Sequence, residues 1–333
     1  MSTPGDAPLK VVPVRHYGQW VAGVVAAVLV AMAIHTLFSK VPTGRTTCTG
    51  AAASRHCVAQ LDWRFGWDVV GKYFTSSEIL RGLVITVEAT AMAMVLGIVL
   101  GVLIAIMRLS KNRLLSSTAW FYTWFFRGTP VYVQILVWVN IAALYHNFRF
   151  GLPFTHIDFA HFNANSISVL EAGVLALGLN EGAYMSEIAR AGLISVDEGQ
   201  VEAATSLGMT RAQSLRLVIL PQAMRVIIPP TGNEVISMLK TTSLLSAVGI
   251  IELTGAATNI YSSNYLVIQL LVTASLWYLI FTTVLSTGQF YVERYFAKGA
   301  LRTPPPTPLQ RMRSDLRGVL SKFRQHQGVP RST

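Results

Sequence analysis

Seven ionisable residues fall inside the long apolar runs of this chain: Glu88, Arg127, Glu171, Glu181, Glu187, Glu234 and Lys240. A charge taken out of water is costly, so each marks a place where something polar is bound, paired or relayed. Asn180, Tyr184 and Glu187 follow one another at four- and three-residue steps, which puts an amide, a phenol and a carboxylate on one helix face. A pathway for a zwitterionic or cationic solute needs such carboxylates and hydrogen-bond acceptors. Glu181, Glu88, Gln134 and Thr129 are further candidates for it. The competing reading is ion pairing between helices, for instance Arg127 with a glutamate. Arg127-Gly128-Thr129-Pro130 interrupts an apolar run and is expected to break or kink its helix, and the freed backbone must be satisfied by neighbours or line a cavity. Pro229-Pro230 is expected to kink a later helix in the same way.

The elements that carry these residues follow from composition. The 333-residue chain is 52% hydrophobic and only 13% charged, against roughly 25% charged in ordinary soluble domains. Runs near 17–38, 80–107, 118–145, 167–189, 223–245 and 264–289 each reach the roughly 20 residues that cross a bilayer core as a helix. The expected fold is therefore an all-α integral membrane protein of about six transmembrane helices. The first run follows Lys10 and Arg15 but is longer than a signal-peptide core and has no obvious small-residue cleavage site, so it reads as an uncleaved anchor. With the N-terminus inside, inner segments hold 18 of the 27 lysines and arginines and outer loops hold six, which predicts cytoplasmic N- and C-termini. The net charge of +11 is then an orientation signal and not a nucleic-acid footprint.

Cys48 and Cys57 share the first outer loop, where an oxidising compartment favours a small disulfide loop over two free thiols. No metal-ligand spacing surrounds them. His146, His156 and His161 are too irregularly spaced for a metal site. No internal repeat relates the two halves, which disfavours inverted-repeat secondary transporters. Beyond the TPPPTP spacer, residues 309–324 alternate apolar and basic positions at helical steps. That pattern suits an amphipathic helix on an anionic inner leaflet, with a partly disordered tail as the alternative.

Residues 199–221, GQVEAATSLGMTRAQSLRLVILP, separate two apolar runs with a small-residue segment. Ser195 and Glu198 have capping-box spacing, as do Thr210 and Gln213. Gly208 suits a left-handed helix end, and Pro221 is expected to close the second helix. Two short helices joined by an elbow follow, with Ala203 and Ala204 leaving a flat surface and Glu202 adding one directed charge. Such a surface suits docking of another protein, or an interfacial helix touching lipid heads.

This segment resembles the EAA loop of ABC-transporter membrane subunits, E-A-A-x3-G-x9-I-x-L-P, through Glu202, Ala203, Ala204, Gly208, Leu220 and Pro221, with Val218 in place of isoleucine. RGTPVYVQ (127–134), GAYMSEIARAG (182–192), GQVEAA (199–204), LPQA (220–223) and LKTTSL (239–244) are similar to the polar amino-acid uptake permeases of that superfamily. The resemblance covers about 79–296. It implies a type I importer permease bundle over 79–296 with its coupling loop at 195–222, where Gly199 and Gln200 join the coupling residues. The remaining divisions are a cytoplasmic N-terminus (1–16), an extra transmembrane helix (17–38), an external loop (39–78) and a basic cytoplasmic tail (297–333). The resemblance also implies a bacterial inner-membrane location, a partner ATPase that binds ATP and Mg, a second identical or homologous permease, an external solute-binding protein and an amino-acid substrate. The chain has no G-x-x-x-x-G-K-[ST] phosphate loop and is not expected to be an enzyme or to carry a cofactor. An ion-coupled secondary transporter using the buried glutamates, and a non-transporting membrane scaffold, are the alternatives that the docking loop argues against.

Overall fold

The computed structural model describes residues 17–49, 56–63, 65–144, 147–151, 158–163, 166–296 and 314. The N-terminal 16 residues, His146, His156 and, apart from residue 314, the basic amphipathic tail fall outside them. The helices are α1 (Tyr17–Phe38), α2 (Trp67–Phe74), α3 (Ser77–Arg108), α4 (Arg113–Gly128), α5 (Val131–Leu144), α6 (Val169–Ile194), α7 (Glu198–Ser206), α8 (Arg211–Ser214), α9 (Leu220–Thr241), α10 (Leu253–Asn264) and α11 (Val267–Phe296). Two antiparallel hairpins interrupt them: β1 (Lys40–Thr49) with β2 (His56–Trp63), and β3 (Asn147–Gly151) with β4 (Asp158–Asn163). Both lie in segments expected to be external loops, so the helical fold class holds for the bundle while these loops carry strand.

Helices α1, α3 and α11 are each long and apolar enough to cross a membrane. A fourth crossing results if Arg211–Val248 and Leu253–Asn264, bent by 43° at a short break, form one broken span. The expected spans at 118–145 and 167–189 coincide with the separate helices α4 and α5 and with the polar-diluted α6. The stretch 246–263, between the last two apolar runs, reads in the sequence as a short outer loop, and here the structure differs: it carries α10. A 3-10 stretch, Thr242–Val248, ends at Gly249 with φ 83°, and Glu252 then caps α10 by accepting from the Thr254 and Gly255 amides at 2.9 and 2.8 Å. The sequence Leu-Thr-Gly-Ala-Ala that follows Glu252 has little side-chain bulk, which lets α10 lie directly on α3. A Cβ on Gly82 of α3 would sit 2.8 Å from the Ala256 methyl.

Two compact units divide the chain, one holding residues to Thr75 with Ile268–Leu270, the other Ser76–Val267 and the chain from Leu271. In the first, the Trp67 ring stacks on Phe38 at 5.1 Å and its Nε1 donates to the Leu37 carbonyl at 2.9 Å. Along α1, none of the apolar window Val21–Phe38 is buried. Cys48 and Cys57 occupy opposed positions in the β1–β2 register. Directly opposed residues of an antiparallel ladder have Cα atoms about 4.5–5.5 Å apart, inside the range a disulfide spans.

The second unit is organised by contact between α3 and α6. Each contributes a G-x-x-x-G run, Gly97-Ile-Val-Leu-Gly101 and Gly178-Leu-Asn-Glu-Gly182, the pattern that lets helix backbones approach closely in lipid. A Cβ at Gly97 would lie 2.5 Å from Glu181 Cγ, one at Gly178 the same distance from Leu96 Cδ2, and one at Gly182 would lie 2.9 Å from Tyr122 Oη. At Gly101 the added carbon would overlap Met185 Cβ and come within 2.9 Å of the Met185 carbonyl carbon. The four glycines thus set the helix separation. Around them lies a core that includes Ala89, Ala93, Met94, Ile135, Leu177 and Leu245.

Two predictions follow. Gly101→Ala pushes α3 from α6 against backbone, so thermal unfolding in detergent should show a loss of about 1–3 kcal/mol. Gly71→Ala, where a Cβ meets nothing within 4 Å, should not show that loss. If Cys48 and Cys57 are bonded, as their register favours, thiol labelling of the intact protein stays blocked until reductant is added. Complete labelling without reductant removes the disulfide.

Candidate functional site

The site is built on the break between α4 and α5. Pro130 has no N–H, so the Phe126 carbonyl loses its helical partner. Two side chains replace it: Gln134 Nε2 and Asn180 Nδ2 each donate to Phe126 O at 2.9 Å. Gln134 Nε2 also lies 3.1 Å from Thr129 O and 2.6 Å from Thr129 Oγ1, while Asn180 Nδ2 reaches Gln134 Oε1 at 3.1 Å. Thr129 Oγ1 in turn donates to Phe125 O at 2.9 Å. Gln134, Thr129 and Asn180 were singled out as pathway candidates; their hydrogen-bonding groups are largely occupied in closing the break. The helix break expected at Arg127–Pro130 is present, and the carbonyl it frees is satisfied internally.

Beside this break is a cavity of about 550 Å³. Arg127 and Thr129 line it from the break, Asn180, Glu181 and Tyr184 from α6, and Glu234, Ser237 and Thr241 from α9. The spacing of Glu234, Ser237 and Thr241 puts them on one face of α9, so that Glu234, one of the in-span charges, is joined by two hydroxyls that the sequence reading did not single out. Glu181 is buried and its Oε1 has no hydrogen-bond partner. Its placement follows from the glycine contacts, since Gly97 leaves room for the Glu181 stem. Arg127 stands 5.3 Å from the centre of the Tyr184 ring, a cation–π distance.

A second cavity of about 380 Å³ lies next to the first, sharing Arg127, Gly128 and Tyr184 and adding Arg108, Trp120, Thr123, Trp124 and Glu187. Here Glu187 is committed to arginines. Its Oε2 accepts from Arg190 Nε at 3.0 Å and from the terminal nitrogen NH2 at 2.8 Å, and Oε1 lies 3.5 Å from Arg108. Glu88 is exposed on α3 and is absent from both cavity linings. Glu171 is exposed too and closes the capping box of α6, where the Ser168 amide donates to it at 2.7 Å. Glu252 was missed because it was placed in a loop. It is fully buried and accepts from Thr86 Oγ1 at 3.3 Å and Tyr278 Oη at 3.0 Å, joining α3, α10 and α11.

At one end of α6 the chain turns into the segment 195–222. Ser195 is the C-cap of α6 and does not begin the next helix; its Oγ donates to Gly192 O at 2.7 Å, and Asp197 caps α7 by accepting from the Gly199 amide at 2.8 Å. Asp197 wins because its carboxylate reaches an amide two residues on, a short Asx geometry that Ser195 cannot offer while it completes the preceding turn. The end of α7 is a Schellman turn: Met209 N donates to Ala204 O at 3.1 Å and Gly208 N to Thr205 O at 2.9 Å, with Gly208 at φ 75°. Thr210 and Gln213 form the expected capping box. Pro221 does not close a helix. A π-helical turn, Leu215–Ile219, shifts the hydrogen bonding so that Leu220 N donates to Leu215 O, and Pro221 falls in the first turn of α9, where no donor is needed. Gly199, Gln200, Glu202, Ala203 and Leu207 are exposed, Leu207 to 82%, whereas Ala204 is buried on a helix that packs against α8 and the π-helical turn. Ala204 therefore anchors α7 and does not add to its free surface.

Comparison with known proteins matches residues 97–298 to a family described as binding-protein-dependent transport system inner membrane component. The arginine transport system permease protein ArgU of Corynebacterium glutamicum is 41% identical over 303 residues, 91% of this chain and 87% of that protein. The nopaline transport system permease protein NocM of Agrobacterium fabrum is 35% identical over 210 residues, 63% of this chain and 83% of its own. Among solved structures, an amino acid ABC transporter with histidines superposes with TM-score 0.59 at 34% identity, covering 68% of this chain and 98% of that one. The MetNI methionine transporter shares the fold, with TM-score 0.50 at 16% identity, over 66% of this chain and 95% of that one.

The bridged Glu187 yields a measurable expectation. Glu187→Gln leaves Arg108 and Arg190 facing each other without a counter-charge, and should cost about 1.5–3 kcal/mol in thermal unfolding. Adding Arg108→Gln should recover part of that loss, because the coupling between partners disappears with both charges. An unchanged melting temperature in the single variant argues for a solute contact instead of a structural bridge.

Proposed function

Because the chain belongs to the family of binding-protein-dependent transport system inner membrane components, we propose that this ABC importer permease carries polar amino acids through the cavity beside the α4–α5 break and couples to its ATPase through α7. The observation that carries the solute reading is that cavity's lining: a carboxylate oxygen without a partner on Glu181, a second carboxylate on Glu234, and a guanidinium on Arg127. Groups of both signs around one space suit a zwitterion, whose own charges compensate them. Tyr184, Asn180 and Thr129 would complete the pathway wall. Relatives named for arginine and nopaline support an amino acid or amino-acid conjugate as cargo.

The coupling reading rests on α7. Glu202, Ala203 and Leu207 stand free on a short helix that packs against α8 and the π-helical turn leading into α9, with Ala204 buried and the Schellman turn at Gly208 closing its end. A rigidly held helix with one charge and one large apolar knob is a joint through which a partner can push. In this reading Gly199, Gln200, Leu220 and Pro221 shape its two ends. ATP and Mg belong to the ATPase partner, a second permease completes the translocation unit, and an extracytoplasmic binding protein delivers solute. Both termini are then cytoplasmic, as the lysine and arginine distribution favours.

Two substitutions test the joint. Glu202→Ala keeps helix propensity and removes the charge, so the bundle should insert normally while its hold on the ATPase weakens. Gly208→Val forces a β-branched residue to positive φ, at a local cost of about 1–3 kcal/mol. No atom lies within 4 Å of a Cβ there, so the effect is conformational and not a clash. It should uncouple solute from ATP turnover. Co-purification of the ATPase and solute-stimulated hydrolysis, compared with Thr205→Ala, decide the matter; normal values in both variants reject α7 as the coupling element.

A further inference from the structure

We infer that Arg127 is the specificity-determining residue that reads the carboxylate of the solute, at the boundary between the two cavities. The inference rests on the amino-acid reading above and assigns that reading's recognition to one side chain. Three observations converge on it.

Arg127 lies within an expected membrane span, yet no ion pair links it to a carboxylate among the described residues. Among the neighbouring glutamates, Glu187 is held by Arg108 and Arg190, Glu181 Oε1 has no hydrogen-bond partner, and Glu234, which shares the first cavity, forms no ion pair with Arg127. The contact Arg127 does make is with the face of the Tyr184 ring at 5.3 Å. A ring face holds a guanidinium while leaving its edge donors available, and those donors form a planar fork that matches a carboxylate. Arg127 and Tyr184 also line both cavities, so a solute moving between them passes this pair.

The backbone supports the same role. Arg127 sits one residue before the break, whose loose carbonyls are tied down by Gln134 and Asn180. The guanidinium therefore projects from a fixed point and not from a flexible loop. Across the first cavity Glu181 offers its unpartnered oxygen. A zwitterion lies between them with its carboxylate on Arg127 and its ammonium toward Glu181. Removing the carboxylate from the solute, or the guanidinium from the protein, breaks one end of that arrangement. A charge-assisted contact of this kind is worth roughly 10- to 100-fold in affinity.

The test uses the permease–ATPase complex in lipid nanodiscs, without binding protein or nucleotide, titrated calorimetrically with L-arginine and L-glutamine and with their α-amides. The amides retain the side chain and amino group and lose only the anionic carboxylate. The wild-type complex should bind each acid at least about tenfold more tightly than its amide. Arg127→Gln should abolish that preference, and Arg127→Lys should restore part of it, since charge returns without the planar fork. Basal ATP hydrolysis and co-purification report whether each variant is assembled. Equal binding of acid and amide by the wild type overturns the inference while leaving amino-acid transport intact. A preserved preference in assembled Arg127→Gln overturns it as well. Failure of the wild type to bind either acid or amide overturns the amino-acid reading together with it.

Discussion

The close approach of α3 and α6 is the constraint from which the rest of the bundle follows. Helices in lipid gain nothing from hiding apolar surface from apolar tails, so contact must come from tight packing of small residues. Gly97 and Gly101 meet Glu181 and Met185, while Gly178 and Gly182 meet Leu96, Leu100 and Tyr122. The same contacts place a carboxylate stem at the centre of the bundle. Glu181 is admitted because Gly97 has no side chain, so the packing motif and the charged site are one feature.

That contact also sets where the broken helix lies. Tyr122 of α4 donates to Leu179 O at 2.6 Å, and Asn180 of α6 reaches back to the carbonyl that Pro130 leaves free. A proline break inside a membrane protein survives only where neighbouring groups replace the lost hydrogen bonds. Here α6 supplies one of them, so the break, α6 and the cavity beside them are held as a unit. Glu252 plays the comparable part at the α10 end. It is buried without a basic partner in the described structure, and its two oxygens instead collect two amides, the Thr86 hydroxyl and the Tyr278 hydroxyl. Multiple donors are the general way in which a buried carboxylate is made tolerable.

The segment between α6 and α9 shows how local and tertiary preferences divide. Its elbow, with Gly208 at positive φ and the Thr210–Gln213 box, depends on neighbours along the chain and was legible. The helix start moved from Ser195 to Asp197 and the stop at Pro221 vanished. Both differences arise where the segment joins long helices, whose continuation overrides a cap signal. Ala203 and Ala204 read alike in sequence, yet one is exposed and the other buried, because the rotation of α7 on α8 and the π-helical turn has no signature in two adjacent alanines.

The sequence by itself determined the membrane class, the permease resemblance borne out by the family match, the break before Pro130 and the elbow at Gly208. Each is a property of apolar run length, chain stiffness or residues a few positions apart. Only the tertiary structure decided which polar residues line the two cavities and which are held by partners. Asn180, Tyr184 and Glu187 share a helix face, but Asn180 is drawn to a freed carbonyl, Glu187 to two arginines, and Tyr184 to Arg127. Likewise 246–263 reads as an outer loop until Glu252 finds Thr86 and Tyr278, from 166 and 26 residues away. Periodicity fixes the direction in which a side chain leaves its helix; the partner it meets depends on how distant helices pack, and four glycines set that packing by having no side chain to hold the backbones apart.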